Sequence, residues 1–99
     1  MQIQTGTVSG TNGDPGWNLA HGNGWRTYRQ NCVFQLAFPS NLIPTVMLTV
    51  TQLDVAPTAG CRVRVDANNI TSGGFEADIS TWADTIVYSC RVQWLAILP

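Results

Sequence analysis

The sequence contains no lysine, and charged residues make up only 11% of its 99 residues. Its positive charges are five arginines spread along the chain, against six acidic residues. A protein that binds nucleic acid through the phosphates needs a basic stripe, so this composition argues against such a partner. Arginine suits directed hydrogen bonds at interfaces or to polar ligands. The largely neutral surface is also compatible with burial between subunits.

Long apolar runs are also missing. None approaches the roughly 20 residues that a membrane-spanning helix needs, so we expect no membrane insertion. The first residues, Met1–Gly6, carry neither a basic stretch nor a hydrophobic segment, so we expect no secretory signal there. These observations leave three localisations open: the cytoplasm, secretion by another route, or secretion with a signal that has already been removed.

Patterns that carry catalysis or metal binding are scarce. The one histidine, His21, lies in a glycine-rich stretch, and no G-x-S-x-G motif supplies a nucleophile. The acidic residues are dispersed, and the cysteines Cys32, Cys61 and Cys90 lack C-x-x-C spacing. We therefore expect no enzymatic activity, metal or cofactor; a hydrolase using His21 is the weakest hypothesis. Cys90 is predicted to be a free buried thiol, with a Cys32–Cys90 disulfide as the alternative in an oxidising compartment.

Short alternating runs separated by Gly, Pro, Asn and Asp predict a single all-β domain over residues 1–99. Six antiparallel strands are enough for a small two-sheet sandwich. The predicted strands are Ile3–Val8, Tyr28–Phe38, Thr45–Leu53, Arg62–Ala67, Phe75–Ser80 and Ile86–Leu98. The irregular segment from Ser9 to Arg26 is too long for a hairpin turn, which makes it a candidate binding loop.

Alternation also assigns faces to three polar or aromatic residues. Counting by twos from Glu76 places Trp82 on the outward face, although a packing role is favoured on this segment alone. The same rule places Tyr88 on the buried face of the last strand, so it is predicted to be a core residue unless the Asp84-Thr85 turn makes it the exposed end of that strand. Alternation places Arg62 on an outward face, as it does Trp82. It is either exposed to solvent or paired with Asp66 or Glu76, or it donates hydrogen bonds to a ligand hydroxyl beside Trp82.

Taken in order, several segments resemble the H-type lectin family. They are Gly16-Trp17, Pro44–Asp54, Arg62-Val63, Asn69–Thr71 leading to Gly74-Phe75, Thr81-Trp82, Tyr88 and Trp94–Ile97. The resemblance implies a six-stranded antiparallel β-sandwich that assembles as a homotrimer, sometimes stacked into a hexamer. It also implies a non-catalytic lectin for N-acetylgalactosamine- or galactose-type glycans, acting on cell-surface or foreign glycans through shallow sites near subunit boundaries.

The same resemblance assigns residues to the sugar site. Arg62, Trp82 and Tyr88 would contact the sugar, while His21 and Asn23 of the long loop would complete the site across the subunit boundary. Asn23 stands where some members carry an acidic residue, which accepts stronger hydrogen bonds than an amide does. Ala83 stands where some members carry a histidine, so we expect affinity or preference to differ here. The alternative function is a structural trimerisation module, such as a phage tail-fibre tip, that contacts protein instead of sugar.

Overall fold

Six β-strands in two antiparallel sheets make up the protein, in a computed structural model that describes all 99 residues except the side chain of Ser40. One sheet has the strand order β1-β6-β3 and the other β2-β5-β4. The strands are β1 (Gln2–Thr11), β2 (Arg26–Val33), β3 (Thr45–Val55), β4 (Arg64–Asn68), β5 (Gly74–Thr81) and β6 (Val87–Leu98). This confirms the expected all-β chain, and the arrangement is consistent with a β-sandwich.

A 3-10 helix at Pro39–Asn41 precedes β3. Within the described chain, no helix combines the length and the apolar character needed to cross a membrane.

The core is built by strand alternation. Along β5, Phe75, Ala77 and Ile79 are buried, as the alternating pattern predicts. They belong to one cluster with side chains of the other sheet and of β2, namely Val8, Cys32, Cys90, Val92, Trp94 and Ala96. A Cβ at Gly6 of β1 would collide with the indole of Trp94. A glycine there therefore lets the β1 backbone lie directly against that ring.

The outward side of β5 is covered by polar side chains of its neighbours. Asp78 is only 6% exposed, although alternation places it on the outward face. It accepts hydrogen bonds from Arg29 Nε at 2.7 Å and from Asn68 Nδ2 at 2.8 Å. The Arg29 guanidinium holds the pKa of Asp78 below its ordinary value, because it stabilises the ionised carboxylate. The polar face of this sheet is thus a hydrogen-bonded network.

The strand register sorts the connecting segments onto two ends of the molecule. Residues 12–25, residues 56–63 and the turn 82–86 all lie at one end, which we call the loop end. At this end β1 finishes, β2 and β4 begin, and β5 passes into β6. Residues 34–44 and 69–73 lie at the opposite end with the two chain termini.

Five predicted strand boundaries are wrong by two to five residues, and three of them matter most for the description that follows. The second strand ends at Val33, five residues before the predicted Phe38. Phe34 and Phe38 are both buried and pack edge to face with ring centroids 5.1 Å apart. In a continuous strand they would be separated by about 13 Å, so this contact requires the chain to bend. At the loop end, β1 continues to Thr11, and β4 begins at Arg64, which leaves Arg62 before the strand.

We predict that one of the three cysteines reacts in the native protein. All three are free, with Cys61 exposed and Cys32 and Cys90 buried. Burial raises the pKa of the Cys90 thiol to about 11 and raises that of Cys32, so little reactive thiolate is present at neutral pH. Alkylation at pH 8 followed by peptide mass spectrometry should label Cys61 alone, and all three after unfolding. A Cys32–Cys90 disulfide in the purified protein would contradict this.

Candidate functional site

The loop end contains every residue that the family resemblance assigned to a site. His21 and Asn23 lie in the segment 12–25, and Arg62 lies just before β4. The turn that follows β5 carries both Trp82 and Ala83. The remaining residue, Tyr88, is the second of β6. The antiparallel register accounts for this grouping, because each of these positions lies before, after or at the start of a strand at the same end of its sheet.

A buried arginine joins two of these segments. Arg26, the first residue of β2, is 8% exposed and donates to five backbone carbonyls. Three belong to the loop: Leu19 at 3.5 Å, His21 at 2.9 Å and Gly24 at 3.0 Å. Two belong to the turn after β5: Ala83 at 2.9 Å and Thr85 at 2.8 Å. One guanidinium therefore fixes the candidate binding loop against the turn that carries Trp82.

Ala83 brings the loop and the turn into direct contact. Its carbonyl accepts a hydrogen bond from the Gly24 amide at 3.1 Å, as well as the one from Arg26. The residue has φ 56°, in the left-handed region that L-residues other than Asn, Asp and His rarely occupy. His21 and Asn23 remain exposed, and Asn23 Oδ1 accepts from the Gly24 amide at 3.0 Å. The loop that carries these two residues is thus joined to Ala83 of the same chain through Gly24 and Arg26.

Trp82 forms an aromatic pair that the sequence analysis missed. It is half-buried, and its ring lies parallel to that of Trp25, with centroids 5.6 Å apart and planes 16° apart. Trp25 is 58% exposed, and its Nε1 donates to Thr27 Oγ1 at 3.0 Å. The sequence did contain one indication of Trp25: it is a large aromatic residue directly after Gly24, at the end of the candidate binding loop.

Arg62 pairs with a residue that was not predicted to be its partner. Its Nη1 donates to Asp84 Oδ1 at 2.7 Å and to Thr85 Oγ1 at 3.1 Å. The predicted pairing with Asp66 or Glu76 is wrong, because Arg62 precedes β4 and faces the turn after β5. Asp66 pairs instead with Arg64, at 2.9 Å.

Tyr88 is exposed, which corrects its prediction as a core residue. Its exposed fraction is 40%, whereas Val87 and Cys90 on either side of it along β6 are buried. The register with β3 steps from Ser89 opposite Asp54 to Val87 opposite Val55. Tyr88 is the extra residue of this β-bulge, and a bulge reverses the facing of the residues beyond it. Simple alternation fails here because it assumes an unbroken ladder.

The exposed side chains of the loop end offer an aromatic surface, a guanidinium, a carboxylate and a phenol. Aromatic faces pack against the apolar side of flat polar ligands, and charged groups orient their hydroxyls. This combination suits recognition of a neutral polar ring. His21 is exposed, and its backbone carbonyl accepts a hydrogen bond from Arg26.

One cavity lies away from these residues. It measures about 690 Å³ and is lined by Gln2, Ile3, Gln4, Gln35 and Leu36 at the opposite end. Its lining consists of amides and aliphatic groups with no charge. We assign the site to the loop end and not to this cavity, because the directed donors and the aromatic pair lie at the loop end.

Comparison with known proteins gives one family. A family model described as "H-type lectin domain" matches residues 29–97, a range that includes Arg62, Trp82, Ala83 and Tyr88. It begins after His21 and Asn23. A protein of Fuscovulum blasticum, "ATP synthase subunits region ORF 7", is 34% identical over 82 residues, which are 83% of this chain and 70% of that protein.

Two solved structures of discoidin II from Dictyostelium discoideum are similar in fold. The recombinant protein matches 96% of this chain with a TM-score of 0.82 and 28% identity. The wild-type protein matches 98% of this chain with a TM-score of 0.84 and 28% identity. In both, the chain spans 36% of the length of discoidin II.

We predict that Arg26→Ala destabilises the fold strongly. Removing the guanidinium takes their donor from three of the five carbonyls, those of His21, Gly24 and Thr85. The carbonyls of Leu19 and Ala83 keep the amides of Val87 and Gly24 as donors. Each buried unsatisfied group costs about 1–3 kcal/mol. The free energy of unfolding, measured by urea denaturation, should fall by at least about 3 kcal/mol. Arg26→Lys should fall between this variant and the wild type, because an ammonium lacks the planar fork.

Arg91→Ala is the matched control for this prediction. Arg91 is exposed, and its Nε makes one long hydrogen bond, to Thr51 Oγ1 at 3.3 Å. Its loss should cost less than about 1 kcal/mol. Equal losses of stability in the Arg26→Ala and Arg91→Ala variants would contradict the central role given to Arg26.

Proposed function

The chain belongs to the H-type lectin family, and from this we propose that it is a non-catalytic lectin for N-acetylgalactosamine- or galactose-type glycans. The observation that carries the proposal is the pairing of two features at the loop end. The stacked rings of Trp25 and Trp82 lie at the same end of the molecule as the Arg62–Asp84 ion pair, and Asp84 belongs to the turn that carries Trp82. One feature suits the apolar face of a sugar ring, and the other suits its hydroxyls.

The aromatic pair supplies the contact surface. Trp25 already covers part of Trp82, and its own outer face is available to a ligand. A sugar ring packed on this surface buries its C–H groups, while the indoles need no rearrangement because they are already stacked. Tyr88, turned outward by the bulge, adds a phenol that can both donate and accept a hydrogen bond.

The polar groups supply orientation. Arg62 is 37% exposed and is held in place by Asp84 and Thr85, so its direction is fixed before a ligand arrives. Asn23 and His21 are exposed on the loop that Arg26 fixes beside Ala83. A hydrogen bond to a charged donor contributes about 1.5–3 kcal/mol when well made. We therefore assign hydroxyl recognition to Arg62, with Asn23 and His21 as further hydrogen-bonding partners.

A shallow site of this kind binds weakly, which makes the number of copies important. A dissociation constant of about 10 µM to 1 mM corresponds to roughly −4 to −7 kcal/mol. Three or six sites on one rigid assembly raise the effective affinity for a glycan-coated surface by about 10²- to 10⁴-fold. The proposal is therefore a homotrimer, or a hexamer of two stacked trimers, that binds dense glycans.

An exposed apolar face of one sheet supports such an assembly. On the outer side of β1-β6-β3, Ile3 and Met47 are both more than half exposed, and Leu95 and Ile97 are half-buried. Thr5, Thr7, Thr49 and Gln93 surround them as uncharged neighbours on the same face. Apolar, uncharged surface of this kind is enriched in the centres of subunit interfaces.

The site is tested with Arg62→Ala, Trp82→Ala and Trp25→Ala on a glycan array. Each variant should lose at least about tenfold in binding, because each removes one of the principal contacts. Arg64→Ala is the matched control: Arg64 is a more exposed arginine two residues along, paired with Asp66, and its loss should leave glycan binding unchanged. Sugar binding that survives both the Arg62 and Trp82 changes would contradict the assigned site. A well-folded oligomer that binds no glycan would contradict the lectin function and favour a trimerisation module.

The assembly is tested by the mass of the protein in solution. We expect the mass of three or six chains, and expect Met47→Arg to reduce it to that of one chain by placing a charge in the apolar face. Asn31→Arg puts the same charge on an exposed residue of β2, in the other sheet, and should leave the mass unchanged. A wild-type protein with the mass of one chain would overturn the assembly while leaving the glycan site to be judged by the array.

A further inference from the structure

The Arg62 guanidinium shares the loop end with a well-exposed carboxylate. Asp84 Oδ1 lies 2.7 Å from Arg62 Nη1, and the Asp84 side chain is 66% exposed, against 37% for Arg62. An exposed pair of this kind contributes little to stability. Its position, two residues after Trp82, instead places a negative charge next to the group that would recognise sugar hydroxyls.

Hydrogen bonds to the backbone on both sides of Asp84 fix the position of this residue. The carbonyls of its two neighbours, Ala83 and Thr85, both accept hydrogen bonds from the same Nη2 of Arg26, at 2.9 and 2.8 Å. Thr85 is fully buried, and its hydroxyl donates to the Gly60 carbonyl at 2.7 Å while it accepts from Arg62. The carboxylate is therefore carried by a rigid turn, on the same set of contacts that orients Arg62.

We propose that Asp84 makes the site selective for neutral sugars over acidic ones, an inference that rests on the proposed lectin function. A sugar hydroxyl both donates and accepts a hydrogen bond, and the Arg62–Asp84 pair offers one partner of each kind. A sugar that carries a carboxylate offers acceptors alone at that group. It competes with Asp84 for Arg62 and is repelled by the Asp84 charge, because like charges a few ångströms apart near a protein surface oppose binding.

Asp84 also supplies a stronger hydrogen-bond acceptor than Asn23 of the loop does. Asn23 is exposed and offers an amide, which is a weaker acceptor than a carboxylate. Asp84 places a carboxylate at the same end of the molecule, from the turn after β5. Because this carboxylate is paired with Arg62, the two groups together carry no net charge.

The test compares wild type and Asp84→Asn with two ligands that differ at one position, galactose and galacturonic acid. Dissociation constants are measured by NMR titration at pH 7 and low salt. Wild type should bind galactose at least about tenfold more tightly than galacturonate. Asp84→Asn keeps the shape of the side chain but removes its charge, so the ratio should shift about tenfold toward galacturonate. Added salt should reverse most of that shift, since it screens the freed Arg62 charge.

Asp66→Asn is the control for a general change of charge. It removes the same charge from the Arg64–Asp66 pair on β4 and should keep the wild-type ratio. An equal shift in this control, or an unchanged ratio in Asp84→Asn, would overturn the proposal. A wild-type protein that binds both sugars equally would overturn the role of Asp84 and leave the lectin function intact. One that binds neither galactose nor any glycan on the array would overturn both.

Discussion

The loop end depends on the burial of one positive charge without a negative partner. Arg26 is almost inaccessible to solvent, and all five of its hydrogen bonds go to backbone carbonyls. A buried guanidinium is tolerated when its donors are satisfied. Moving any one of the carbonyls away would leave a buried N–H group without an acceptor, which costs stability. The loop 12–25 and the turn 82–86 are therefore coupled: displacing either one exposes the charge. The positions of Trp25, Trp82 and Asp84 follow from this coupling.

Local sequence pattern was sufficient to predict six strands and the buried face of β5. Phe75, Ala77 and Ile79 lie where alternation places them, and Cys90 is the free buried thiol that was expected. These features depend on a period of two along an unbroken strand, which a sequence displays directly. The family, which the comparison with known proteins confirmed, was also predicted from short segments in their order along the chain.

The site could be predicted only in part, because its contacts join residues far apart in sequence. The Trp25–Trp82 stack and the Arg62–Asp84 pair span 57 and 22 positions, and no local pattern indicates such partners. Tyr88 fails for a different reason: the extra residue of a bulge is invisible to a rule that counts by twos. Arg26 was one of five scattered arginines, and nothing nearby distinguished an inward-facing arginine from an outward-facing one.

Arg62 is already paired before any ligand binds, and this helps to explain why several copies of the site would be needed. A sugar that approaches Arg62 meets a guanidinium that already donates to Asp84 and Thr85, so binding gains the difference between the new hydrogen bonds and the hydration that they replace. The site therefore binds a sugar with lower affinity but in a defined orientation, since the donor and the acceptor are already in place. A single copy of such a site is weak by construction. Strong attachment to a glycan surface then has to come from repetition of the site on a rigid assembly, which adds affinity without adding a contact.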